Sequence, residues 1–238
     1  MTTYDVSRLG TTLLVWAHPD DETYLAGGLA AMLTDSGQRV VCVTATRGEA
    51  GGPDQSPDAR KELARVRTLE LDEALKVLGV SEHYWLDHED GGCDLVDPDH
   101  AAGQVLRIIR QVEPDTVVTF GPDGVTGHPD HRAVGGWVDL AVARCDRAPM
   151  VLHPVTTAEL RAVDPALDTD FGVFELGLPR FCSPDEIELQ LPLTGKLLDR
   201  KVRALLAQPS QTSGLVGAVG LDRFRAWVAT ETFARPLA

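Results

Sequence analysis

Basic residues are scarce in this chain: 22 lysines and arginines stand against 36 aspartates and glutamates among 238 residues, a net charge of −14. A surface of that sign repels phosphate, which excludes a nucleic-acid partner, and nothing in it favours docking on anionic lipid. Apolar runs are short. None approaches the ~20 residues of a membrane span, and the N-terminal MTTYDVSRLG lacks the basic-then-apolar character of a secretory signal. Cysteine is sparse as well: Cys42, Cys93, Cys145 and Cys182 lie far apart with no CxxC, so neither a sulfur-rich zinc site nor a disulfide framework is expected. These absences lead to the expectation of a cytoplasmic protein with no membrane and no nucleic-acid partner. The oligomeric state stays open, a homo-oligomer included.

What is present is a balanced globular composition, 43% hydrophobic and 24% charged, with no linker, repeat or low-complexity tract. That pattern and length predict one domain over residues 1–238. Short buried-looking runs, TTLLVW (11–16), RVVCVTA (39–45) and TVVTF (116–120), read as strands, with a weaker one over 83–86. Between them, helical spacing covers 23–36, 58–78, 98–112 and 129–145. Strands alternating with helices imply parallel βαβ units and a three-layer α/β/α fold with a mostly parallel central sheet. Further on, strands are expected over 150–155 and 186–191, and helices over 194–207 and 221–233.

In such sheets ligands collect beyond the carboxyl ends of the strands. The loop after the first strand is AHPDDE, and the one after the fourth contains GHPDH. A dinucleotide turn would need glycines where the first loop carries Asp20, Asp21 and Glu22, and carboxylates there repel phosphate. A helix cap explains one aspartate-proline pair. It does not explain the same His-Pro-Asp in two strand-end loops.

A catalytic zinc takes three ligands from His, Asp or Glu and keeps one position open. His18 and Asp21, three residues apart at a turn into a helix, supply two, and His131 supplies the third. Asp20 is then placed to accept a proton from an attacking water. His128 is placed to stabilise an oxyanion and protonate a leaving amine, with Asp130 orienting that imidazole. This set describes metal-assisted amide hydrolysis, with zinc as cofactor and iron(II) as the alternative occupant, because affinity alone does not decide metal identity.

AHPDDE and GHPDH together resemble the PIG-L/LmbE-like family of zinc-dependent N-deacetylases. The stretches TATRGEAGG (44–52), RVRTLELDEALKVLGV (65–80) and KVRALLAQPSQ (201–211) extend the likeness over most of the chain. The resemblance implies a Rossmann-like fold and a small N-acylated amino sugar, or its conjugate, as substrate. It also implies the ligands and catalytic groups already named, with Glu49 and Arg67 near the substrate and Glu70 bracing the site. Two positions depart from the family pattern: Thr126 stands where mycothiol-pathway members carry tyrosine, and Gln208 where many carry histidine. The alternative functions are an amidase on a larger thiol- or antibiotic-type conjugate, and a non-catalytic sugar- or nucleotide-binding module.

Overall fold

A computed structural model describes residues 6–164, 171–174 and 176–237. The first strand, β1 (Thr12–Trp16), is buried along its whole length, as a run without polar alternation requires. It pairs in parallel with β2 (Val40–Thr46) on one side and β4 (Thr116–Val118) on the other. Beyond β2 lies β3 (Glu82–His88), and beyond β4 lies β5 (Met150–Pro154), both again parallel. The strand order therefore reverses between β1 and β4. That switch point opens a crevice at the carboxyl ends of these two strands, the ends that carry AHPDDE and GHPDH.

The connecting helices are α1 (Asp21–Asp35), α2 (Pro57–Leu78), α3 (Pro98–Val112), the single turn α4 (Gly124–Gly127) and α5 (Pro129–Val142). Their limits follow from local chemistry. In α2, the Ser56 hydroxyl accepts the Ala59 N–H, Pro57 occupies the first turn, and Gly79 closes the helix at φ 81°. Asp97 caps α3 in the same manner before Pro98. α3 packs beside α5, while α1 and α2 pack with a later helix, α7 (Gly195–Leu206).

The expected helix over 221–233 is a correction. Among the described residues, α8 (Pro209–Val219) and α9 (Leu221–Trp227) precede a strand, β7 (Thr230–Ala234). β7 runs antiparallel to both β5 and β6 (Ile187–Pro192), completing the order β3-β2-β1-β4-β5-β7-β6. The reason is in the sequence: Thr230, Thr232 and Phe233 favour extended backbone. The apolar spacing that suggested one long helix spans two elements.

Glu231 of β7 reaches into α1. That helix breaks at Ala26 (φ −145°), and the Glu231 carboxylate accepts the freed N–H groups of Gly28 (2.6 Å) and Leu29 (2.8 Å). It also pairs with Lys201 of α7 at 2.8 Å, and both side chains are 1% exposed. Lys201 in turn donates to the Tyr24 carbonyl at 2.8 Å. A carboxylate so completely partnered becomes costly to delete, because its removal strands a buried ammonium. Glu231→Ala is expected to cost ~3–5 kcal/mol in urea unfolding, and Lys201→Met with Glu231→Leu to recover most of that loss. A single-variant loss below ~1 kcal/mol contradicts the assignment.

His153 is buried within β5. Burial holds its imidazole down to about 4, with Asp123 pulling the other way. The folded-state value lies below the unfolded value of ~6.5, so this stability is complete above pH 6.5 and is lost as pH falls towards 4. The expected cost is about 2 kcal/mol by pH 5. His153→Gln should flatten the fall of the urea midpoint between pH 7 and 5; an identical fall in both proteins refutes it.

Candidate metal centre and active site

The two His-Pro-Asp turns meet at the switch point. His18 follows β1, and its main-chain N–H donates to Asp21 Oδ2 at 2.8 Å, which folds the loop back on the first turn of α1. Asp20 takes φ 119°, a backbone region costly for any residue but glycine. Its carbonyl accepts the N–H groups of Thr23 and Tyr24, and its own N–H donates to Glu22 Oε2 at 3.0 Å. Asp20 thus makes no side-chain cap on α1. In the second turn the cap on α5 is the imidazole itself: His128 Nδ1 accepts the Asp130 N–H at 3.2 Å. Val125, one turn earlier, is a β-branched residue at φ 61°, so backbone strain sits in both loops.

These turns bring His18 Nδ1 to 3.1 Å from His131 Nε2. Asp21 lies at 3.6 Å from the first nitrogen and 3.4 Å from the second. His128 presents a donor atom within 4.8 Å of both histidines. The second nitrogens fix the tautomers. His131 Nδ1 faces the Gly124 carbonyl at 2.9 Å, which can only accept, so Nε2 carries the lone pair. His18 Nε2 faces carboxylates, Asp90 at 3.0 Å and Asp130 at 3.2 Å, so it is the donor there and Nδ1 is left to bind. Two imidazole nitrogens and a carboxylate converge on one point, each supported by an outer partner, and this donor set fits a zinc-type cation.

Without a metal, the carboxylates around His18 favour a positive charge at this point. Burial works against a charge on His18, but hydrogen bonds to Asp130 and Asp90 and the charge of Asp21 overcome it and raise the group to about 10. Burial pushes Asp20 up to about 7 against the pull of Arg67. It also pushes Glu22 up to about 7. Asp90 is held down to about 2: burial opposes its charge and His18 and the Ala50 N–H outweigh it.

Several expectations shift in this geometry. The Asp130 carboxylate turns to His18 and accepts the N–H groups of Gly91 and Cys93, while only its main chain meets His128. Sequence spacing favours the neighbouring imidazole, whereas the loop after β3 supplies the donors that aim the carboxylate elsewhere. Arg67, expected near substrate, is 4% exposed. Its guanidinium donates to the carbonyls of Gly48 and Pro19 and lies 3.3 Å from Asp20. Gly48, at φ 67°, permits that approach, since a Cβ there would stand 2.3 Å from the guanidinium carbon. Glu49 accepts the Asp90 N–H at 3.0 Å, and its other oxygen is buried without a partner. Glu70 accepts from the Ser210 N–H and hydroxyl, tying α2 to α8. Gln208 occupies a buried position, donating to Glu22 at 2.9 Å and accepting from Thr23 at 2.6 Å.

Asp90 lies outside the candidates read from the sequence. Asp87 and Glu89 are exposed, but Asp90 is 7% exposed and touches His18. The available signal is its place beyond a strand's carboxyl end.

A family model described as GlcNAc-PI de-N-acetylase (PIG-L) matches residues 13–142, the span from β1 through α5 that holds both turns. The chain belongs to the PIG-L family. Within it, a 1D-myo-inositol 2-acetamido-2-deoxy-alpha-D-glucopyranoside deacetylase of Kineococcus radiotolerans is 32% identical, over 84% of this chain and 68% of the relative. A probable N-acetyl-alpha-D-glucosaminyl L-malate deacetylase of Bacillus cereus is 35% identical over 63% of this chain and 69% of the relative. Against inositol-sugar deacetylases of two Streptomyces species, the chain spans about half of the relative's length. An N,N'-diacetylchitobiose deacetylase from Pyrococcus horikoshii shares the fold, with a TM-score of 0.64 at 23% identity over 97% of this chain and 86% of that one. Among the described residues of this PIG-L protein, no helix is long and apolar enough to cross a membrane.

If Asp90 and Asp130 hold His18 as a metal ligand, Asp90→Asn should weaken zinc binding ~10–100-fold in competition with a chromophoric chelator. Unchanged affinity rules that role out.

Proposed function

We propose that this PIG-L protein is a zinc-dependent hydrolase that removes an N-acetyl or other N-acyl group from an amino sugar or its conjugate. The observation that carries the reading is the convergence of His18 Nδ1, His131 Nε2 and the Asp21 carboxylate at the switch point of a PIG-L chain. His18, Asp21 and His131 would hold the ion. When bound, it supplies Lewis-acid polarisation of the amide carbonyl and of a water. Iron(II) suits the same donors.

The remaining chemistry belongs to the chain. Asp20, at the lip of the site and steadied by Arg67, accepts the proton of the attacking water. His128 keeps Nδ1 as an acceptor for the Asp130 N–H, so its neutral form carries a proton on Nε2 and donates that hydrogen bond to the developing oxyanion, while the proton that Asp20 took from water passes to the departing amine. Asp130 and Asp90 position His18, and Arg67 positions Asp20. Glu49, with a buried unpartnered oxygen, supplies an acceptor for a substrate hydroxyl. It lines a polar recess with Arg47, Arg60 and His88. The seven-stranded sheet supports treating residues 1–238 as one catalytic domain, and the composition supports a cytoplasmic setting.

Asp20→Ala should retain stoichiometric zinc by elemental analysis yet lose at least ~10²-fold in turnover of an N-acetylglucosamine conjugate. Near-wild-type turnover by that variant removes Asp20 as the base.

A further inference from the structure

On the Asp21 and His131 side of the metal centre lies a cavity of about 370 Å³. Its wall is largely apolar, built from Tyr24, Leu25, Val155, Leu160, Phe174 and Trp227. The ionic groups at its edge already have partners: Lys201 pairs with Glu231, Asp164 with Arg223, and the Arg161 guanidinium lies 4.2 Å over the Phe174 ring. Thr126, Thr156, Thr230 and Thr232 add hydroxyls to the wall, but a sugar placed there would still exchange most of its water for hydrocarbon. Val163, Val173, Phe174 and Pro179 contribute to the wall, and among the described residues nearby Val163, Phe171, Leu176, Leu178 and Phe181 are exposed. An acetyl methyl, about the ~30 Å³ of one water molecule, leaves most of such a space unfilled, whereas ligand cavities run to about 300–1,000 Å³.

We propose that this cavity receives the acyl chain of the substrate, and that the chain is a medium-length alkanoyl group rather than acetyl. The inference rests on the N-deacylase reading above. Two observations choose the acyl half of the amide over the amine half. Asp21 and His131 wall the cavity, so a group on the carbon held at the metal centre runs directly into it. Asp20 is not part of that wall, so the leaving amine, which takes its proton from Asp20, is directed away from it. The recess beside Glu49, Arg60 and His88, of opposite character, is left for the hydroxylated part. The reaction is then hydrolysis of an N-alkanoyl amino sugar: water adds to the acyl carbon, the C–N bond breaks, and an alkanoate and a free amino sugar leave.

The test uses the full chain loaded with zinc and a series of N-acetyl-, N-butyryl-, N-hexanoyl- and N-octanoylglucosamine, with octyl N-acetylglucosaminide as the amine-side control. kcat/KM is expected to rise about fourfold per added methylene, the equivalent of ~0.8 kcal/mol for burying one CH₂. Acetyl as the best acyl group overturns the proposal, as does a gain seen only with the octyl glycoside. Val155→Phe and Leu160→Trp, each narrowing the cavity, should lower the octanoyl-to-acetyl ratio at least tenfold while the melting temperature is held; an unchanged ratio in both counts against it. Calorimetry on the metal-free protein separates this idea from the reading beneath it. N-octanoylglucosamine binding at least tenfold tighter than N-acetylglucosamine supports the cavity's role even if no amide is hydrolysed, a result that would remove the deacylase reading alone. Equal binding removes the cavity's role.

Discussion

Two imidazoles and a carboxylate stand 3.1–3.6 Å apart in a buried cleft, an arrangement that needs positive charge between them, a proton on His18 or a cation in its place. Much of the architecture around the switch point serves that constraint. β1 and β4 bring the two loops side by side, the Gly124 carbonyl fixes one imidazole, and Asp90 with Asp130 fixes the other. The cost of gathering these groups is spread over strained backbone at Asp20 and Val125 and over carboxylates displaced from their ordinary ionisation. Such strain persists only where surrounding structure over-determines it. Here that structure is α2, through Arg67, and α8, through Gln208 and Ser210.

The arrangement divides labour between two shells. Residues that face the crevice come from the paired motifs, while the groups that aim them include Asp130 of the second motif together with Asp90 and Arg67, which neither motif contains. The loop after β3 is the clearest case. Its Gly91 and Cys93 N–H groups grip the Asp130 carboxylate, and its Asp90 carboxylate reaches His18. His18, just past the end of β1, is thereby steered by segments more than seventy residues away in the chain.

That division also explains what could be read from sequence. The parallel strands and their helices were legible because buried strands show as unbroken apolar runs and helices begin at Ser56-Pro57 and Asp97-Pro98. The clustering of His18, Asp21 and His131 was legible because His-Pro-Asp recurs at two strand ends. Asp90 was not, since its neighbours Asp87 and Glu89 are solvated and nothing local marks it as buried. The aim of the Asp130 carboxylate and the burial of Arg67 were hidden for the same reason: both depend on which distant N–H or carbonyl arrives. β7 was misread because a short strand of Thr, Glu, Thr and Phe, following a helix with no glycine or proline between, mimics helical spacing.

The break in α1 at Ala26 has a bearing on how the protein comes to be. The first turn carries Asp20 and Asp21, and the second half of the helix is held by a carboxylate from β7. A nascent chain emerges from its amino end, and domains generally fold as units during synthesis. The support for the helix that follows the first motif is made more than two hundred residues after that motif. Until β7 has emerged and paired, the break at Ala26 lacks the carboxylate that caps it. The first turn of the candidate site is thus finished by a strand made long after it.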